Sequence, residues 1–163
     1  MRAGCRAMLW LALAAPAVSV PAQPTAVPPR LDAEHAQAIV AGCRARAAGR
    51  RQSHAIVVVD LAGSPVASLR MDGNPPGTFD FALQKAQAVA AWGFSTAAMA
   101  RAAAETPGFA KAPHVVTVAG GIPIISADGK TLLGAAGVSG EAPADDEACA
   151  VAGVEAAGFR ARS

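Results

Sequence analysis

The sequence predicts an α+β domain, a central antiparallel β-sheet of about five strands flanked by helices, in the order α-β-β-α-(α)-β-β-β-α. Three observations lead there. Val115 to Gly140 reads as apolar runs separated by a Gly-Gly break and an Asp-Gly turn, a pattern of antiparallel strands. Ala55–Val59 is a second run of β-formers, followed by the turn-forming Asp60–Ser64 and a return run to Met71. The links between these runs are too short for repeated parallel crossovers, and alanine-rich segments with helical spacing lie before, between and after them.

Taken in order, Met1 to about Ala22 reads as an export signal, with Arg2 and Arg6 before the apolar core Met8–Ala15 and small residues after it. Val20-Pro21-Ala22 supplies a cleavage site, with Ala15-Pro16-Ala17 as an alternative. The apolar run is too short to span a bilayer. The mature chain is therefore expected outside the cytoplasm, periplasmic or secreted, with no membrane contact after cleavage. Residues 23–30 carry Pro24, Pro28 and Pro29 and predict an extended lead-in to a single domain over 31–160.

Asp32 predicts an N-cap, and Ala36, Ile39, Val40, Cys43 and Ala47 a buried stripe on a helix ending near Gly49. Ala55–Val59, apolar on both faces, predicts a central strand, and Pro65–Met71 its hairpin partner. The loop Asp72–Gly77 has enough Pro and Gly for a fixed shape. Thr78 predicts the cap of a helix with Ala82, Ala86 and Ala90 on one face, and Ser95 or Thr96 the cap of a shorter one stopped by Pro107-Gly108. Strands are expected at Val115–Ala119, Ile122–Ala127 and Lys130–Ser139, the last two joined by a two-residue turn at Asp128-Gly129. Pro143 opens the last helix, whose first turn carries Asp145, Asp146 and Glu147, and Ala148, Val151, Ala152 and Val154 are expected in the core.

Charge excludes one class of partner. Fourteen Lys and Arg stand against twelve Asp and Glu, and because Arg2 and Arg6 fall in the leader the mature chain is balanced. Arg44, Arg46, Arg50 and Arg51 form its basic concentration, read as the solvated end of a helix. With no Tyr and few aromatics there is no stacking platform for nucleic acid. Export permits a Cys43–Cys149 disulfide, but two small thiols on core faces of separate helices favour buried free cysteines.

Familiar catalytic patterns are missing. Gly-Val-Ser-Gly at 137–140 lacks the spacing of a nucleophile elbow, and His35, His54 and His114 lack the pairing of a helical metal site. A haem site asks for less: an axial ligand, an apolar slot and cations for the propionates. His35, His54, His114, Met71 and Met99 are candidate ligands. His114, ahead of the Gly-Gly turn, is either a ligand at a pocket mouth or a solvated strand-end side chain. Arg70 and Lys85 either converge on an anion or pair with Asp60, Asp72 or Asp80.

The ordered set Val-Val-Asp-x-Ala-Gly (58–63), Arg-Met-Asp-Gly (70–73), the Asp80–Ala86 helix start, Gly-Gly-Ile-Pro (120–123), Asp-Gly (128–129), Gly-Val-Ser-Gly (137–140) and Asp-Glu (146–147) resembles the GlcG/HbpS family of small haem-binding-type proteins, also related to the C-terminal domain of PduO-type proteins. The likeness covers nearly all of residues 31–159. It implies a compact sheet-and-helix domain, symmetric homo-oligomers and a haem or tetrapyrrole ligand, bound without catalysis. A second reading of the residues is a binding module that takes a small organic acid between Arg70, Lys85 and the Gly-Gly loop, and a third is an enzyme acting on such an acid with Asp72 or Glu147 as base. Carried over by position, Arg70, Met71, Asp72, Lys85, Gly120, Gly121, Asp146 and Glu147 fall on family motifs and are expected around a shared pocket or interface. His114 falls on none, so as the axial ligand of haem it rests on its position alone.

Overall fold

The computed structural model describes residues 30–162, so the leader and nearly all of the proline-rich lead-in lie outside the described residues. Helix α1 (Ala33–Arg50) is capped as its sequence predicts, with Asp32 accepting from the His35 N–H. Strands β1 (Ala55–Val59) and β2 (Pro65–Arg70) follow, then α2 (Pro76–Trp92) and α3 (Thr96–Glu105). A single turn of 3₁₀ helix, Phe109–Lys111, leads to β3 (Gly121–Ile125), β4 (Leu132–Ser139), α4 (Pro143–Ala156) and the two-residue β5 (Arg160–Ala161). The five strands form one sheet in the order β2-β1-β4-β3-β5, every neighbouring pair antiparallel.

Alternation along the central strands sends side chains to two cores. Ile56, Val58, Ile122, Ile124 and Val138 face α1 and α4, meeting Ile39, Cys43 and Val154. Val57, Val59 and Ala135 face α2, where Ala82, Ala86 and Val89 are fully buried. Each buried Ile or Val stabilises the fold by roughly 1.5–3 kcal/mol relative to exposure. The alanine face of α2 sits so close to β4 that a Cβ on Gly137 would lie 2.0 Å from the Ala82 carbonyl oxygen.

Several expectations are corrected. Val115–Ala119 is not a strand. Both sides of β4 are taken by β1 and β3, and the far side of β3 by β5, so Val115 and Val116 pack over the α2 core instead. The β3–β4 connection is longer than two residues: the Gly129 N–H bonds the Ser126 carbonyl, and Gly129, not Asp128, takes positive φ. Helix α2 starts before Thr78, with Pro75 as cap and Pro76 in the first turn. On α4 the buried positions are Asp146, Cys149, Ala150, Gly153 and Val154, while Ala148, Val151 and Ala152 are half-buried. Cys43 and Cys149 are not free thiols: they form a disulfide between α1 and α4, with Cα atoms 4.7 Å apart. Two helices remote in sequence pack here through Gly42 and Gly153, and small residues bring their backbones within bridging range.

Candidate functional site

Most of the expected site residues fall into two groups. In the first, Lys85 occupies a core-facing position of α2, between Ala82 and Ala86 on one side and Val89 on the other, and is fully buried. A buried ammonium needs a counter-charge and acceptors. Asp146, in the first turn of α4, supplies the charge: Lys85 Nζ donates to Asp146 Oδ2 at 3.0 Å and to the Val138 carbonyl at 2.9 Å. The Phe81 ring lies 4.9 Å from the same nitrogen. Burial holds the Lys85 ammonium below the usual lysine range, and the Asp146 charge and hydrogen bond oppose that shift without cancelling it.

The other carboxylate oxygen, Asp146 Oδ1, accepts from the Glu141 N–H and meets His54 Nδ1, both at 3.1 Å. A carboxylate oxygen that accepts here leaves Nδ1 as the donor, and Nε2 is buried with no hydrogen-bond partner among the described residues. Gly120 closes the group. It adopts φ +124°, and a Cβ there would stand 2.8 Å from Lys85 Nζ and 2.5 Å from the Val138 oxygen. Gly121 donates its N–H to Thr96 Oγ1 at 2.9 Å. Lys85, Gly120, Gly121 and Asp146 thus come together in a sealed core, and the ring of His54 lies with them. No member of the His54–Lys85–Asp146 triad is more than 2% exposed.

The second group lies outside this seal. Arg70, Met71 and Asp72 line a groove of roughly 670 Å³ between β2 and α1, with Arg44, Ser53 and Leu69. Arg70 does not approach Lys85 as a shared anion clamp; its Nη1 donates to the Asn74 carbonyl at 2.7 Å. Ser53 Oγ donates to the Asp72 carbonyl at 2.7 Å and accepts from Asn74 Nδ2 at 2.8 Å, fixing the loop that follows β2. Met71 Sδ accepts from the His54 N–H at 3.5 Å, so His54 belongs to both groups, backbone to one and ring to the other. Among the described residues no carboxylate pairs with Arg44 or Arg70.

Two expected residues join neither group. Glu147 borders a separate surface hollow with Arg46 and Glu155. His114 is exposed, sits in a turn at φ +59° rather than at the head of a strand, and lines a cavity of about 210 Å³ with Leu61, Gly63, Gln87 and Ala90. Arg44, Ser53, His54 and Asn74 carried no motif. The one sequence signal for His54 is its place before a strand buried on both faces, where a polar ring is buried and requires a partner.

Comparison with known proteins bears on what such an arrangement serves. No curated protein matched the sequence. A family model described as "Haem degrading protein HbpS-like" matches residues 31–155. Similar solved structures include a double mutant of Streptomyces reticuli HbpS, 26% identical, covering 87% of this chain and 97% of that one, TM-score 0.71. Klebsiella pneumoniae protein ORFY is 22% identical over 85% of this chain and 97% of its own, TM-score 0.72. A PduOC–haem complex is 20% identical over 82% and 99%, TM-score 0.72.

Proposed function

The chain belongs to the HbpS-like family, and from that premise we propose that it is an exported, non-catalytic binding protein for haem or a related tetrapyrrole, serving haem or iron handling or redox sensing. The observation that carries the reading is the groove between β2 and α1. Its size falls in the range of ligand sites, about 300–1,000 Å³. The residues there suit the group: the half-buried Met71 thioether would be a soft donor to the iron, Leu69 an apolar wall and Arg70 a cation for a propionate. When bound, haem would bring an iron centre able to change oxidation state. The sealed Lys85–Asp146–His54 group supports a binding role over an enzyme, since no substrate reaches it. Asp72, the base an enzyme would use in the groove, is exposed.

Hemin titration of the mature protein is expected to raise a Soret band, and Met71→Ala to weaken or shift it. A flat titration at micromolar protein ends the reading. Bleaching of the band by dioxygen and a reductant would replace the non-catalytic role with haem degradation. A second placement has its own support: Leu61 and Trp92, the exposed large apolar side chains among the described residues, both flank the His114 turn. There His114 would hold the iron, and His114→Ala rather than Met71→Ala is expected to remove the band.

Export is supported by the leader pattern and by the Cys43–Cys149 disulfide, which suits an oxidising compartment. An intact mass beginning at Gln23 after periplasmic expression checks it. Homo-oligomers are supported by the same exposed Leu61 and Trp92, and sedimentation of the mature protein tests them.

A further inference from the structure

We propose that the groove between β2 and α1 recognises ligands with two carboxylates, one held by Arg70 and the other by Arg44. Arg44 reads from sequence as part of a solvated helix end. Helix α1, however, runs to Arg50, which leaves Arg44 more than one turn inside it, beyond the reach of the C-terminal dipole. Its side chain lines the groove that Arg70 lines from β2, and also an adjoining hollow of about 210 Å³ bordered by Val40, Ser68 and Leu69. The recess therefore continues where α1 lies beside β2, the sheet's edge strand, with Arg44 on the helix wall and Arg70 on the strand wall.

Both guanidiniums are available. Neither has a carboxylate partner among the described residues, although Asp72 borders the same groove. Arg70 is also held in place: the Asn74 carbonyl takes one Nη1 hydrogen, Asn74 is tied to Ser53, and Ser53 to the Asp72 backbone. A guanidinium fixed on one edge keeps its remaining N–H groups for a planar carboxylate, the partner its fork fits. With Asp72 counted, the groove carries one net positive charge from these side chains, which sets its preference for anionic over neutral ligands.

The inference deepens the tetrapyrrole reading, because a tetrapyrrole with free propionates presents two carboxylates, but a flexible aliphatic dicarboxylate offers the same chemistry. The test is calorimetric or fluorescence titration of the full mature protein, wild type, Arg44→Gln, Arg70→Gln and the double variant, with hemin, protoporphyrin IX, its dimethyl ester and adipate. Each single variant is expected to weaken binding of the free acid about tenfold, the scale of a hydrogen bond to a charged group. The ester should bind at least about tenfold more weakly than the acid. Unchanged thermal midpoints would show that folding is intact.

Equal affinity of acid and ester, or an Arg44→Gln variant that binds like wild type, overturns the inference. If hemin binds wild type and the double variant alike, the inference falls and the haem reading stands. Arginine-dependent adipate binding without any hemin binding supports the inference and ends the haem reading. If neither ligand binds, both fall.

Discussion

The sealed group around Lys85 and the open groove around Arg70 lie on either side of His54, and sequence motifs point to both as one pocket. They differ in how their charges are answered. Lys85 meets a carboxylate and a carbonyl within 3.0 Å and has no contact with solvent. Arg70 meets a single carbonyl and has no carboxylate partner among the described residues. A buried ion answered from within joins α2, β4 and α4 and reports on folding. A cation only partly answered at the surface is the kind of group a ligand completes.

The sharpest way to break this division is to strip Lys85 of its charge. Lys85→Met leaves Asp146 buried without the lysine charge and should cost about 3–5 kcal/mol in urea denaturation, while Lys85→Met with Asp146→Asn, which keeps an acceptor for His54 and the Glu141 N–H, recovers much of the loss. If Lys85→Met instead left stability intact and abolished ligand binding, the sealed group would be the site. Removing the disulfide should cost about 2–4 kcal/mol and also weaken dicarboxylate binding, because Cys43 anchors α1 beside Arg44; Cys43→Ala with Cys149→Ala, measured by urea and by titration, tests both halves.

The third measurement is pH. Burial lowers the folded-state affinity of Lys85 for its proton, so below the ordinary lysine value the unfolded chain binds more protons and stability rises with pH. Urea midpoints between about pH 8 and pH 10 should show that rise in wild type and a flatter line in Lys85→Met. The smallest effect is expected in the groove: Arg44→Gln and Arg70→Gln should change stability by no more than about 0.5 kcal/mol.

Much of this was legible where local chemistry decides. Asp32, Ser95 and Pro143 mark helix starts because cap and first-turn preferences act over three or four residues. Ala55–Val59 reads as a central strand because both its faces are apolar. Val115–Ala119 failed because β propensity reports fit to a half-buried pleat and cannot say whether a sheet has a vacant edge. Arg160–Ala161, which occupies that edge, is too short to leave a pattern. The motifs carried Lys85, Gly120 and Asp146 to one place, yet no periodicity separates an aspartate that answers a buried lysine from one that awaits a ligand. His54 is read only as a candidate haem ligand, its pairing with Asp146 hidden because that carboxylate lies 92 residues away, and Arg44 is read as a solvated helix end because a run of arginines looks alike whichever way each one points.

The Cys43–Cys149 link joins the first helix to the last, 106 residues apart, and encloses nearly all of the sheet. During synthesis the second cysteine emerges only after every strand of the central hairpins has been made. The bond therefore cannot guide early folding. It is a late lock, set once the sheet has already brought the two helices together, and a chain kept under reducing conditions should reach the same fold without being held there as firmly.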